Sequence, residues 1–212
     1  MSQMIHLILS LTVSYLLGSI PTAYIFGKLL KGIDIRKHGS GNVGATNVFR
    51  VLGQGPGIVV LLIDIAKGLI AVVACAGLFK LTQTIHYVLS GLAVVAGHNW
   101  TCFLKFKGGK GMATSLGVLI GLMIKLSSIR VTVLSCAGLW TLLFLLTGYV
   151  SLASILSAVV LPVLMVVTAQ SFELVILGLV FCVFVILRHR SNIKRLLNGQ
   201  EHRFSPFKKR PS

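Results

Sequence analysis

The arrangement of charge restricts this chain more than any other feature. Apolar runs, each close to the ~20 residues that cross a bilayer as a helix, alternate with short basic patches. Only 11% of the 212 residues are charged and 55% are hydrophobic, whereas a soluble domain carries roughly 25% charge. The pattern predicts an all-α polytopic membrane protein, with residues 1–212 forming a single membrane-embedded domain. Of the charges, 20 are Lys or Arg and 4 are Asp or Glu, a balance that invites comparison with nucleic-acid binders. Position argues against that class. The cations cluster at Lys28–Arg50, Lys105–Lys110 and Arg188–Arg210, with nearly uncharged connections between them. That is the signature of cytoplasmic loops under the positive-inside rule, and no nucleic-acid partner is expected.

Hydropathy and breaks predict about seven transmembrane helices. They fall near Ile5–Phe26, Gly57–Phe79, Ile85–Leu104, 112–126, 130–147, 150–168 and 172–187. The first run has no cationic residue before it, so it reads as a retained span and not a cleaved leader. It also contains Gly18-Ser19-Ile20-Pro21, where proline must kink or unwind the helix and leave carbonyls to be satisfied by protein or water. With Lys28 and Lys31 following this run, its N-terminus is expected outside and the C-terminus in the cytoplasm. On that topology all three basic clusters share the cytoplasmic face, and only Lys80, Lys125 and Arg130 lie opposite. The run at 112–126 is short, so five spans with re-entrant segments is the alternative count.

The first cytoplasmic loop carries Gly39, Gly41 and Gly44 in a G-x-G-x-x-G pattern. It is not a dinucleotide fingerprint, because no β-strand precedes it. The underlying physics still applies: glycines let backbone N–H groups approach an anion, and a following helix N-terminus favours negative charge. Ser40, Asn42, Thr46, Asn47 and Arg50 add donors. The plain alternative is a flexible polar connection. The second loop, Phe106-Lys-Gly-Gly-Lys-Gly111, fails as an ATP-binding P-loop because Leu104 and Gly111 stand where glycine and Ser/Thr are required. What remains is a glycine turn with Lys107, Gly108, Gly109, Lys110 and Gly111, again suited to an anion, or alternatively to anionic lipid.

The third patch begins Arg188-His189-Arg190, and helical spacing brings His189, Asn192 and Arg195 to one face. A stop-transfer cluster is its bland explanation, weakened by three such patches meeting on one side of the membrane. Asp64 and Lys67, three residues apart within a span, are either a structural ion pair or lining of a polar site. His98 has the same two readings. Cys75, Cys102, Cys136 and Cys182 lie in or beside apolar runs without metal or redox spacing. They indicate no disulfide framework and no metal site.

In this order the patches resemble the acyl-phosphate-dependent glycerol-3-phosphate acyltransferases of bacterial membranes, the PlsY family. The likeness is carried by Gly18-Ser-Ile-Pro21, Gly39-Ser-Gly-Asn-Val-Gly-Ala-Thr-Asn47 with Arg50 and Gly53, and Asp64 with Lys67-Gly68. It continues through Gly97-His98, Phe106-Lys-Gly-Gly-Lys-Gly111 with Ala113-Thr114, and Arg188-His189 with Asn192-Ile193, Arg195-Leu196, Gly199 and Glu201. It spans nearly the whole chain. One departure is Thr101, where family members usually carry proline. The resemblance implies transfer of a fatty acyl group from acyl phosphate to the 1-hydroxyl of glycerol-3-phosphate, giving lysophosphatidic acid and phosphate, without a cofactor. It also implies a bacterial inner-membrane location, a cytoplasmic-face site and an upstream soluble enzyme that makes acyl phosphate.

The residues suit such chemistry independently. Two phosphorylated reactants need two anion sites, and phosphate is a good leaving group that needs no strong acid. No Ser-His-Asp or G-x-S-x-G arrangement is present, and no histidine has Asp five residues later, as thioester-using acyltransferases would require. The expected catalytic set is His189, Asn192, Ser40 and Lys110. Gly39, Gly41, Asn42, Thr46, Asn47, Arg50, Lys107, Gly108, Gly109, Gly111, Arg188 and Arg195 are expected to bind substrate. A transporter for anionic solutes and a lipid-phosphate phosphatase are the competing classes.

Overall fold

The computed structural model describes residues 3–204, apart from the Cys75 and Ala76 side chains. Lys208, Lys209 and Arg210 of the third basic cluster lie outside the described residues. Helices α1 (Gln3–Ser19) and α2 (Thr22–Lys31) are followed by a single 3-10 turn (Ile35–Lys37) and the short α3 (Ala45–Leu52). Then come α4 (Gln54–Ile70), a π-helical turn (Ala71–Cys75) leading into α5 (Ala76–Leu78), and α6 (Thr84–Asn99). The remainder is α7 (Met112–Lys125), α8 (Arg130–Thr147), α9 (Val150–Val167), α10 (Phe172–Arg188) and α11 (Arg190–Leu197). No strand occurs among the described residues. Each expected apolar run is a helix, and the break between α8 and α9 falls at Gly148, whose φ of 71° closes α8. Pro162 sits inside α9 without ending it.

Five segments are long and apolar enough to cross a membrane: Gln3–Lys31, Gln54–Ala74, Thr84–Leu104, Ser127–Thr147 and Val150–Val167. The pair α10 and α11, bent by 64°, makes a sixth if taken as one span. Helix α7 has 14 residues, or roughly 21 Å at 1.5 Å per residue, less than the ~30 Å hydrocarbon core. Large apolar side chains such as Leu145, Leu146, Val166 and Val167 face outward, where lipid supplies their contacts. The interior is filled by Leu122, Ile129, Met165, Leu177 and Phe181.

Lipid gives apolar faces no reason to associate, so membrane helices depend on close backbone approach. Two reciprocal glycine pairs provide it. A Cβ on Gly117 of α7 would fall 1.9 Å from the Ile65 carbonyl of α4, and one on Gly68 of α4 would fall 2.1 Å from the Thr114 carbonyl of α7. Gly18 and Gly97 do the same for α1 and α6, against the Val94 and Tyr15 carbonyls. A smaller apolar cluster of Ala23, Ile35, Val43, Val48, Val60 and Leu104 lies beneath the first loop and seats α3 against α2 and α4.

The proline break between α1 and α2 is satisfied by protein. Thr101 Oγ1 donates to the Ser19 carbonyl, and Lys67 Nζ donates to the Ile20 carbonyl. Lys67 also donates to Thr22 Oγ1 and, at 2.9 Å, to Asp64 Oδ1. Each of its three ammonium protons therefore has an acceptor. Thr22 in turn donates to Asp64 Oδ1 at 2.7 Å. The Asp64–Lys67 pair is thus the staple of a broken helix, with both side chains nearly sealed from solvent. Lys67→Met would leave the buried Asp64 carboxylate without its counter-charge and the Ile20 carbonyl with only the Thr22 amide as donor, a loss of about 3–5 kcal/mol. Thermal unfolding in detergent should fall sharply for Lys67→Met and recover in part when Asp64→Asn is added; an unchanged midpoint in the single variant would contradict the stapling role.

Candidate active site

Three segments meet around a cleft of about 550 Å³: Arg36 with Ser40–Val43, Lys107–Lys110, and Leu187 to Arg195. The volume lies in the range of small-ligand sites. Of the residues the sequence singled out, Ser40, Gly41, Asn42, Lys107, Gly108, Lys110, Arg188 and Arg195 line it. Gly39, Thr46, Asn47, Arg50, Gly109 and Gly111 lie outside that lining. His189 and Asn192 are buried at the base of the third segment.

The first loop is closed from within. Asp34 caps the 3-10 turn and grips Arg36 with both carboxylate oxygens, at 2.9 Å to Nε and 2.7 Å to Nη2. The Arg36 guanidinium hydrogen-bonded to it holds the Asp34 carboxyl well down, at about 2. Asn47, from the first turn of α3, reaches back: its Oδ1 accepts from the Ser40 amide at 2.8 Å, and its Nδ2 donates to the Ile35 and His38 carbonyls. Gly39 and Gly41 adopt left-handed φ values of 61° and 70° to make this turn. Asn47 was expected on substrate. Instead its amide is fully occupied in holding the loop, because an N-terminal-turn side chain is the nearest donor and acceptor to those main-chain groups. Thr46, beside it, is the second residue of α3, whose N-cap Gly44 offers no side-chain cap.

The second loop also departs from expectation. Its glycine amides were expected to face an anion, but Gly108 N–H donates to the Asn99 carbonyl at 3.2 Å and Gly109 N–H to the His98 carbonyl at 3.0 Å. These glycines allow close approach: a Cβ on Gly108 would lie 2.1 Å from the His98 carbonyl, and one on Gly109 would lie 2.1 Å from His98 Nε2. The outward groups are carbonyls, and Arg188 takes both, donating Nε to Gly109 at 2.9 Å and Nη2 to Gly108 at 2.7 Å. Arg188 therefore fastens the end of α10 to the lysine loop. The groups this loop presents to the cleft are the side chains of Lys107 and Lys110.

Lys110 crosses to the third segment and donates to Asn192 Oδ1. Asn192 Nδ2 donates to Glu201 Oε1 at 2.7 Å, an oxygen that also accepts from Ser151 Oγ at 2.8 Å. Arg195 Nε donates to Glu201 Oε2 at 2.8 Å. Burial pushes the Glu201 carboxyl up, but the hydrogen bonds from Asn192, Ser151 and Arg195 outweigh it and hold it ionised. Glu201 and Ser151 were absent from the expected site. Glu201 was findable as the only carboxylate between Arg188 and Arg203. Ser151, at the start of α9, had no signal.

Burial, and then the nearby charges of Arg195, Arg50 and Arg188 opposed by Glu201, lower Lys110 to about 8. Arg50, half-buried, feels the same opposing pair, Glu201 and Arg195, with burial the larger effect. His189 lies just past the spanning helix α10. Burial first, then Lys110, lowers it to about 4. Its Nδ1 lies 2.9 Å from the Val185 carbonyl, an acceptor, so Nδ1 carries the proton and Nε2 keeps its lone pair. No cluster of three metal-ligating side chains occurs among the described residues.

Fold and cleft together define a multi-pass membrane protein with a basic cleft built from three interhelical segments. Comparison with known proteins gives the family. Residues 8–199 match the family model described as glycerol-3-phosphate acyltransferase. The glycerol-3-phosphate acyltransferase of Desulforudis audaxviator (strain MP104C) is 45% identical over 203 residues, covering 93% of this chain and 96% of that one. That of Synechococcus sp. (strain CC9902) is 45% identical, with 92% and 94% covered. The crystal structure of PlsY, an integral membrane glycerol 3-phosphate acyltransferase, in its glycerol 3-phosphate form superposes with a TM-score of 0.83 at 39% identity, covering 94% of this chain and 96% of that chain. Its lysophosphatidic acid form gives 0.80 at 38% identity. The chain belongs to the glycerol-3-phosphate acyltransferase family, the membrane acyltransferases of phospholipid biosynthesis.

Alanine at Gly108 separates the two uses of this loop. It keeps the N–H, so an amide cradle would tolerate it. Close packing against the His98 carbonyl instead predicts loss of thermal stability and of kcat that no substrate concentration restores, read by unfolding midpoint and steady-state kinetics.

Proposed function

We propose that this protein transfers the acyl group of an acyl phosphate to the 1-hydroxyl of glycerol-3-phosphate, giving lysophosphatidic acid and inorganic phosphate. The observation that carries this is the surplus of cations around one cleft. Arg36 and Arg195 are neutralised by Asp34 and Glu201, whereas Lys107, Lys110, Arg188 and Arg190 face the cleft without a carboxylate partner among the described residues. Such an excess suits two phosphate-bearing reactants held side by side.

In this reading Lys107 and Lys110 hold the phosphate of the donor and stabilise charge as its C–O bond breaks, an effect worth a few kcal/mol per donor. Ser40, Asn42, Thr46, Arg50 and the uncapped start of α3 hold glycerol-3-phosphate. Gly39, Gly41 and Asn47 shape that loop; Gly108, Gly109 and Gly111 shape the lysine loop; and Arg188, Asn192 and Arg195 register it against the third segment. The 1-hydroxyl oxygen attacks the acyl carbonyl, the acyl-phosphate bond breaks, and the hydroxyl proton must find an acceptor. His189 at about 4 is a weaker base than a phosphate oxygen titrating near 6. The departing phosphate therefore takes the proton, and His189 Nε2 orients the hydroxyl by accepting its hydrogen bond. No acyl-enzyme is required.

We place the cleft on the cytoplasmic face of a bacterial inner membrane, with the N-terminus outside, the C-terminus inside and seven spans counting α7. Acyl phosphate then arrives from an upstream soluble enzyme, and the acyl tail remains in the bilayer. Purified protein in lipid should release phosphate only when acyl phosphate and glycerol-3-phosphate are both present, and acyl-CoA should not replace the donor. Release without glycerol-3-phosphate would favour a phosphatase, and solute uptake without turnover a transporter.

The pH profile tests the assigned protonation states. Lys110 must be charged to hold phosphate, so kcat/KM should fall as pH rises through about 8. Lys110→Arg should move that descending limb upward, since guanidinium does not titrate there. A His189 inflection between pH 5 and 7 would contradict its neutral state.

A further inference from the structure

The C-terminal tail packs against residues of the third segment and joins elements far apart in sequence. After α11, Gly199 turns the chain with a φ of 67°, and Glu201 enters the polar cluster with Ser151, Asn192 and Arg195. Three residues on, Phe204 sits in a different environment. Its amide donates to the Gly148 carbonyl at 2.8 Å, pinning it to the α8–α9 turn. Its ring meets Phe49 of α3 edge-on, with centroids 5.5 Å apart and planes at 86°, and meets Phe144 of α8 at 6.0 Å. Between the two, Arg203 reaches over Tyr149, with its guanidinium 5.3 Å from the ring centroid and Nε donating to the phenol oxygen at 3.3 Å.

Phe49 is the neighbour of Arg50, and its ring is trapped on the far side by α4, where a Cβ on Gly57 would lie 2.4 Å from it. The small cluster beneath the first loop holds α3 from its other side, against α2 and α4. The tail is thus what couples the Arg50 helix to α8 and to the segment carrying Asn192.

We propose that Phe204 is a positioning residue for glycerol-3-phosphate: by wedging between Phe49 and Phe144 it sets where the Arg50 guanidinium stands relative to Glu201, Asn192 and Lys110. This rests on Arg50 contacting glycerol-3-phosphate. The wedge touches no reacting atom, so its removal acts on binding and leaves the chemical step alone.

The test is steady-state kinetics of the full chain in lipid, with glycerol-3-phosphate varied at saturating acyl phosphate. Phe204→Ala should raise KM for glycerol-3-phosphate roughly three- to tenfold, the scale of a single aromatic contact. It should leave kcat within about twofold and KM for acyl phosphate unchanged. Phe204→Leu should restore much of the loss, and Phe49→Leu, with the tail intact, should reproduce the KM effect in milder form. Combined with Arg50→Lys, Phe204→Ala should add little, because both act through one guanidinium. If Arg50→Lys raises KM and Phe204→Ala does not, the wedge is overturned and Arg50's role stands. If Arg50→Lys leaves KM untouched, Arg50's assignment falls and the wedge falls with it. Fully additive effects, or a drop in kcat with unchanged KM values that Phe204→Leu fails to restore, would also overturn the proposal.

Discussion

A broken helix inside hydrocarbon must find hydrogen-bond partners from within the protein, and much of this architecture follows from how that requirement is met. The break at Ile20-Pro21 leaves carbonyls that lipid cannot satisfy. Two of them, on Ser19 and Ile20, are taken by Thr101 and Lys67. Lys67 brings a charge, which Asp64 neutralises with Thr22 between them. Thr101 stands at the hinge between α6 and the lysine loop: its carbonyl accepts from the Phe106 amide, and its hydroxyl reaches α1. The helix break and the lysine loop are therefore one structural unit. The Thr101 hydroxyl supplies a hydrogen bond to the broken helix that a proline at this position could not.

The same economy governs the polar groups of the cleft. Each loop uses its own amides and side chains to hold its shape, and presents long cations to the opening. Arg188 bonds carbonyls of the second loop, Lys110 bonds the Asn192 side chain of the third segment, and Glu201 gathers that segment around itself. A cleft ringed by cations would otherwise repel itself apart, because Arg50, Lys110, Arg188 and Arg195 lie close enough to influence one another. One carboxylate at the centre relieves that repulsion without reaching the opening. His189 is a poor base first because it is buried and then because it sits beside Lys110.

Glycine has two separate uses here that a linear pattern cannot distinguish. Between helices, Gly18, Gly68, Gly97 and Gly117 let backbones touch where lipid offers no other cohesion. In the lysine loop, Gly108 and Gly109 let the chain lie against the end of α6. The sequence suggested anion-binding amides for that loop because the pattern Gly-Gly-Lys-Gly resembles phosphate cradles. The amides turn inward because the carbonyls of His98 and Asn99, at the C-terminal end of a helix, lack intrahelical partners and lie directly behind.

The membrane class, the positions of the helices, the break at Pro21 and the convergence of three basic segments were all legible in the chain. Hydropathy and charge placement are local properties that the bilayer reads directly. The ordered motifs likewise gave the family. The number of true spans was not legible, since α7 is too short for length alone to decide. Nor were the partners of individual polar side chains. Asn47 and Asn192 are the same residue type in similar basic contexts, yet one closes its own loop while the other bridges Lys110 to Glu201. Ser151 and Phe204 join the site from segments with no recognisable pattern. Those assignments depend on distances of a few ångströms between residues up to about 150 positions apart in sequence, and only the packed helices bring such residues together.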